Sequence, residues 1–243
     1  MKKAIGYVYV IAAAVCWGFL GLFNRVLTAA GVSLLNMMPL RFGGTAILFT
    51  VFCMMFKQQV FHIKLRHLPI FLGSGLISML LVLCGCALVS GIVGSDVGIS
   101  LEGLLMGLAS ELCYGGYTIF THYGMRYCDS FTMAYWTFLI AGIASLFLAD
   151  GPALLSALAE PRTGLAALGL MVMGTALPFT LYTKGLETVE SGKAAIIANI
   201  EPVMSAVIGE TVFQETLGLW TLVGIVLVLS GVVVLACEKE PDK

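Results

Sequence analysis

Charge is scarce in this sequence. Only 11% of its 243 residues are Asp, Glu, Lys or Arg and 59% are apolar, whereas a soluble domain carries about 25% charged and 45–50% apolar residues. The mean hydropathy is +1.00. A globular core of this length would not hide that much hydrocarbon behind a wetted surface, which excludes a soluble domain and leaves a membrane-embedded one. With a net charge of −1 and no basic arm, nucleic acid is not an expected partner. Histidine is rare too: His62 and His67 lie in a polar loop, His122 stands apart, and neither HExxH nor GxSxG occurs. The usual outlines of a zinc or serine hydrolase are therefore missing, and the reading is of a non-enzyme without cofactor or metal site. The seven cysteines (Cys16, Cys53, Cys84, Cys86, Cys113, Cys128 and Cys237) form no CxxC pair and mostly sit in apolar runs, which favours packing over a disulfide frame.

Long apolar runs are what the chain has. A spanning helix needs about 20 mainly apolar residues. Eight such runs lie between polar breaks, at about 5–28, 34–56, 68–92, 101–123, 130–149, 164–183, 193–213 and 217–237. Helices are expected because lipid cannot satisfy a bare backbone, and no run alternates as a membrane barrel strand would. The expected fold is all-α, a polytopic membrane helix bundle of about eight transmembrane helices. Lys2 and Lys3 before an apolar run resemble a signal peptide, but the run continues past AAAVCWG to about Val26 and is read as a span. The break DGPALLSALAEPRTG is long enough to lie partly on the membrane surface. If the N-terminus is cytoplasmic, ten basic residues (Lys2, Lys3, Lys57, Lys64, Arg66, Arg126, Lys184, Lys193, Lys239 and Lys243) fall on the inner side. Only Arg162 lies in an outer loop. This asymmetry predicts that both termini are cytoplasmic.

The sequence also repeats. Adding 97 places Cys16-Trp17-Gly18 on Cys113-Tyr114-Gly115, Ser33 on Ser130 and Ser78 on Thr175. The register then jumps: LLVLCGCALVS (80–90) matches VLVLSGVVVLA (226–236) at an offset of 146, so about 49 residues of the second copy, near 176–225, have no counterpart in the first. The loss removes two crossings, so every later helix keeps its orientation.

Taken with WGFLGLFNRVL, the arginine of MMPLRF, LYTKGLETVESGKAAIIANIEPV and QETLGLWTLVGIVLVLSGVVVL, the chain resembles the EamA-domain branch of the drug/metabolite transporter superfamily. The resemblance implies two inverted five-helix repeats, ten helices being the family norm. Here residues 1–94 form a truncated first repeat of three helices, 95–100 an outer linker, 101–237 a complete second repeat of five helices and 238–243 a polar cytoplasmic tail. It also implies a bacterial inner-membrane location and export of small metabolites, amino acids or drugs, often driven by proton or solute gradients.

Intramembrane charges cost roughly 2.5–3.5 kcal/mol each on insertion scales and usually face a cavity or a partner. Glu201 lies near the middle of the seventh run, where a carboxylate can exchange a proton as its surroundings change. Pro202 removes a backbone donor and leaves the carbonyl of Ala198 open to a kink, with Asn199 nearby. The pair resembles the family's pore-lining EP motif; a purely structural kink with a helix-bonded glutamate is the other reading. Glu111 departs from the small residue usual there, and either adds a protonatable group or pairs with another helix. Tyr114 shares its face. Arg41 matches the family's second-helix arginine and either attracts an anion or reaches water. Lys184 is expected to snorkel, and Trp17 to pack or to line a pathway. Glu210 and Glu215 lie near the outer surface, Glu215 as a helix-start residue beside Thr216. Gly103 and Gly107 form a GxxxG spacing that signals helix contact. The expected partners are a small solute, protons and the bilayer. The leading expectation is alternating access with the solute at mid-membrane between the repeats. The alternative is a truncated member that lacks one cavity wall and is inactive, or active only as a homodimer.

Overall fold

The computed structural model describes residues 2–56, 58–61, 67–89, 101–216 and 218–237. All regular structure among them is helical. In chain order the helices are α1 Lys2–Gly18, α2 Leu20–Ala29, α3 Leu34–Met38, α4 Gly44–Phe56, α5 Leu68–Val89, α6 Leu101–Gly124 and α7 Ser130–Ser145, then α8 Gly151–Leu158, α9 Pro161–Met171, α10 Leu177–Gly185, α11 Ser191–Ala198, α12 Ile200–Phe213 and α13 Leu219–Cys237. Several of these are segments of one rod. Continuous apolar helix runs over Ala4–Ala29, Leu35–Phe56, Pro161–Gly185 and Ser191–Phe213, each long enough to cross a bilayer, and α5, α6, α7 and α13 are the further rods of the bundle, shorter apolar stretches being described in α5, α7 and α13. The expected bundle of about eight rods is thus the observed one, and α8 is the short helix within the outer break.

The rods pair in a reciprocal pattern. Along α1 lies α10, and along α6 lies α5; α5 also meets α7, while α9 and the residues after it meet the second rod at Pro39–Gly43. The α7 helix crosses the second rod centrally, touching both Pro39–Gly43 and α4. Gly142 is needed at that crossing, since a Cβ on it would stand 3.0 Å from the Gly43 Cα. The core between the rods is largely aromatic (Trp17, Phe42, Phe49, Tyr117, Phe138, Phe179, Tyr182), with a second apolar cluster of Leu27, Val32, Met37, Leu40 and Leu170 between α2, α3 and α9. Most hydroxyls buried between described rods bond to backbone or to one another. Ser74 meets Thr137 at 2.8 Å, and Ser78 donates to the Ser74 carbonyl at 2.9 Å. Apolar side chains cover the outside instead, with Leu112 and Leu219 more than two-thirds exposed, as lipid contact requires. Cys16, Cys53, Cys113 and Cys128 form no disulfide; the side chains of Cys84, Cys86 and Cys237 and the surroundings of the GxxxG pair Gly103 and Gly107 on α6 lie outside what the structure describes.

Candidate functional site

Four membrane-crossing rods are interrupted, three beside a proline or an asparagine and one at a close contact between rods. The first rod breaks between α1 and α2 at Phe19, whose N–H reaches back only three residues to the Cys16 carbonyl at 3.1 Å. The break follows Gly18, where a Cβ would stand 2.4 Å from the Cβ of Met204 on α12. The second rod widens into a π-helical turn at Pro39–Gly43, opened by a proline with no N–H to give. The sixth widens likewise at Val172–Ala176, two residues before Pro178. The seventh breaks at Asn199, whose side-chain amide donates to the carbonyls of Ala195 at 3.1 Å and Ile196 at 3.3 Å, capping the end of α11. The break thus precedes Pro202 by three residues, and Pro202 occupies the first turn of α12, where a missing N–H costs little. Turns of this kind concentrate at functional sites in membrane transport folds.

The two π-helical turns bond to each other. Arg41 Nε donates to Thr175 Oγ1 at 3.2 Å, and Thr175 Oγ1 donates to the Leu170 carbonyl at 2.9 Å, absorbing a carbonyl displaced by the wide turn. From the second rod, Thr45 donates to the Met171 carbonyl at 3.1 Å.

Among these interruptions stands an aromatic cluster drawn from three rods. Trp17 on α1 lies 5.1 Å from Phe179 and 5.3 Å from Tyr182 on α10, and 6.3 Å from Tyr114 on α6, centroid to centroid. Tyr114 and Tyr182 are 6.0 Å apart, and Tyr117 meets Phe179 at 5.4 Å. Trp17, Tyr117, Phe179 and Tyr182 are buried. Most hydroxyls here are satisfied: Tyr182 bonds Thr118 at 3.3 Å and Tyr117 bonds Thr183 at 3.5 Å. The Tyr114 hydroxyl is buried beside that of Tyr182 and makes no hydrogen bond of ordinary geometry among the described residues. Glu201, half-buried in the first turn of α12, is within electrostatic reach of that hydroxyl.

The expected residues therefore divide. Trp17 and Tyr114 come together, and Glu201 is within electrostatic reach of Tyr114. Asn199 and Pro202 shape the break that presents Glu201, with both side chains largely exposed. Arg41 is turned toward Thr175, with its guanidinium 5.7 Å from the Phe42 ring. Lys184 points outward at the end of α10 and pairs with Glu187 at 2.7 Å. The backbone of Glu111 is one turn from Tyr114 on α6, but its side chain lies outside the described residues. Sequence reading missed Phe179 and Tyr182, although LPFTLYTKG carries them at a helical spacing of three.

A second missed feature joins distant ends. Arg25 on α2 pairs with Glu215 at 2.5 Å and lies 4.4 Å over the Phe213 ring. Gln214, with a left-handed φ of 54°, turns the chain after α12 so that Glu215 reaches back. The bond from Arg25 holds the Glu215 carboxyl below the usual carboxylate range. Elsewhere, an apolar cleft of about 270 Å³ opens between α4 and α7, lined by Gly43, Ala46, Thr50, Leu139 and Ile143 among others. Thr50 is already bonded to the Ala46 carbonyl at 2.7 Å and lies 3.3 Å from the Tyr135 hydroxyl. This cleft suits hydrocarbon and offers a polar solute nothing.

Residues 101–237, more than half of the chain, match the EamA-like transporter family. Similar curated proteins include an uncharacterized transporter of Archaeoglobus fulgidus, 41% identical over 28% of this chain and 25% of its own length. Others are the uncharacterized transporter YwfM of Bacillus subtilis, 26% identical over 70% of this chain and 57% of its own, and the multidrug resistance protein EbrB of Bacillus atrophaeus, 32% identical over 35% of this chain and 74% of its own. The chain spans a quarter to just over half the length of the first two.

Proposed function

The chain belongs to the EamA-like transporter family, and on that footing we propose that it carries small metabolites, amino acids or drugs outward across the inner membrane by alternating access. A Salmonella typhimurium relative named as an inner membrane transporter, 26% identical over 60% of this chain, supports the location. The observation that carries the reading is the meeting of Trp17 and Tyr114, ring centroids 6.3 Å apart. These residues occupy equivalent places in the two proposed repeats. Equivalent positions of two units related by a dyad touch only near that dyad, which is where an inverted-repeat transporter holds its solute. Four interrupted rods surround the spot and supply places for the walls to move. Glu201, at the edge of the cluster, is the proposed proton carrier.

The test is flux in proteoliposomes under a pH gradient, scanned over amino acids and drugs. Solute movement that is lost or uncoupled from the gradient in Glu201→Gln supports the reading. Unaltered pH dependence removes Glu201 from the mechanism, and no flux for any solute by folded protein favours the alternative.

That alternative, a truncated member active only as a dimer, is favoured by one contrast. Gly18 grips the backbone of Met204, with a would-be Cβ 3.2 Å from its carbonyl carbon. Its repeat equivalent Gly115 meets nothing within 4 Å among the described residues. The helix absent from the proposed first repeat would pack there, and a second copy would have to supply it.

A further inference from the structure

The seam between α2 and α12 is closed at its far end by one ion pair, at the end that the basic residues predict to be outer. The seventh rod divides at Asn199 into two parts that are anchored differently. α11 belongs to the aromatic core through Ala194, Ile197 and Ala198, but beyond Ile200 no residue of α12 joins either described apolar cluster. The first rod divides too, at Phe19, and its outer half α2 is fixed on its other side. There Leu27 packs in one cluster with Ala166, Ala167 and Leu170 of α9, and the Phe23 ring fills the space that a Cβ on Gly169 would need. Along the seam itself Met204 lies against Gly18 at the break, and a Cβ on Gly21 would stand 3.5 Å from Ser205 Oγ. Farther out, Arg25 Nη1 meets Glu215 Oε1 at 2.5 Å, with the guanidinium 4.4 Å over the Phe213 ring. The chain is bent to aim this carboxylate. Gln214 is left-handed, which is uncommon outside glycine, and the Glu215 N–H donates to the Gly209 carbonyl at 3.1 Å. The Glu215 carboxylate then occupies the space beside Gly209, where a Cβ would stand 2.7 Å from Oε2. Both partners are half exposed, so the pair is weak and readily broken and remade. A permanent fastening would be buried and apolar, as it is between α2 and α9.

Resting on the transport reading above, we propose that Arg25, Glu215 and Phe213 form a latch on the α2–α12 seam, and that α12 swings away from α2 about the break at Asn199 when it releases. α2 stays with α9, so the moving body is α12 with the turn after it. Release uncovers the face of α12 that carries Met204 and Ile208. These two are one turn apart and share a face, Met204 lies against Gly18, and Ile208 is 6% exposed while the latch is closed. About three turns of α12 separate the latch from Glu201, so it governs access and leaves the choice of solute to other residues.

The experiment measures how fast a membrane-impermeant maleimide modifies Ile208→Cys from the outer side of membrane vesicles, in the full chain with its native cysteines replaced. Ala167→Cys, buried in the cluster between α2 and α9, is the control position. Arg25→Gln or Glu215→Gln is expected to raise modification at position 208 about two- to fivefold, the range by which an exposed pair shifts an equilibrium. Position 167 is expected to stay unchanged. Exchanging the partners, Arg25→Glu with Glu215→Arg, should return the rate toward that of the native pair. Unchanged modification at position 208 in both single variants, an equal rise at position 167, or no recovery on exchange would each overturn the proposal. A bismaleimide joining Arg25→Cys to Glu215→Cys should also stop any flux that the unlinked protein shows, and flux that survives linking overturns the latch. A chain that moves no solute, yet shows latch-dependent modification at position 208, keeps the latch and loses the transport reading.

Discussion

At Tyr114 a buried hydroxyl lies beside that of Tyr182 without a hydrogen bond of ordinary geometry among the described residues, and a bond left unmade typically costs about 1–3 kcal/mol. On the proposed transport reading, that hydroxyl is kept for the solute. Tyr114→Phe should therefore leave thermal stability in detergent unchanged or raise it, while lowering solute binding. Tyr182→Phe, which loses the bond to Thr118, should cost about 0.5–1.5 kcal/mol. If both variants lower the melting temperature equally, the Tyr114 hydroxyl has a partner and its assignment to the solute fails. Glu215 carries the clearest pH signature outside the bilayer. Its carboxyl is held below the ordinary range by Arg25, so the pair's contribution is complete above the ordinary carboxylate value and is lost as pH falls through the lowered one. Arg25→Gln should return Glu215 to an ordinary carboxylate titration, followed by carbon-13 NMR of that side chain. An unshifted titration would show that the pair does not form in solution. Being exposed, the pair ties the outer ends of α2 and α12 without adding much to global stability.

At the scale of elements, the rods were legible because hydrocarbon in this quantity has no other use: runs of apolar residues between KQQVFHIKLRH, RYCDS and DGPALLSALAEPRTG mark their limits. The interruptions were only partly legible. Pro39, Pro178 and Pro202 flag three of the four, yet the seventh rod breaks at Asn199, because that side chain competes for the carbonyls of Ala195 and Ile196. The break at Phe19 has no proline; it depends on the close approach of Met204 to Gly18, a contact across 186 residues that no local pattern encodes. The Arg25–Glu215 pair escaped for the same reason, since it requires knowing that α1–α2 and α11–α12 lie side by side. The Gly18 contact yields a direct comparison. Gly18→Ala should destabilise by about 1–3 kcal/mol through overpacking. Gly115→Ala, with open space among the described residues, should be neutral or gain up to about 1 kcal/mol of helix propensity. Thermal melts of the two variants check this; equal losses would mean that the α6 face is covered.

At the scale of the molecule, the reciprocal pairing of α1 with α10 and of α6 with α5 is the pattern that a duplicated, inverted unit produces. On the proposed repeat, Trp17 and Tyr114 are equivalent positions that meet, and α10 closes on Trp17 through Phe179 and Tyr182. The account rests on this centre being wet, because a carboxylate at that depth is tolerable only beside water, a partner or a solute. The direct measurement is modification of Glu201→Cys by a membrane-impermeant maleimide, in a background with the native cysteines replaced, in vesicles of both orientations. Val226→Cys, on the lipid-facing side of α13, serves as the dry control. The account predicts that position 201 reacts from at least one side while position 226 does not. Position 201 remaining as unreactive as position 226 from both sides would contradict it.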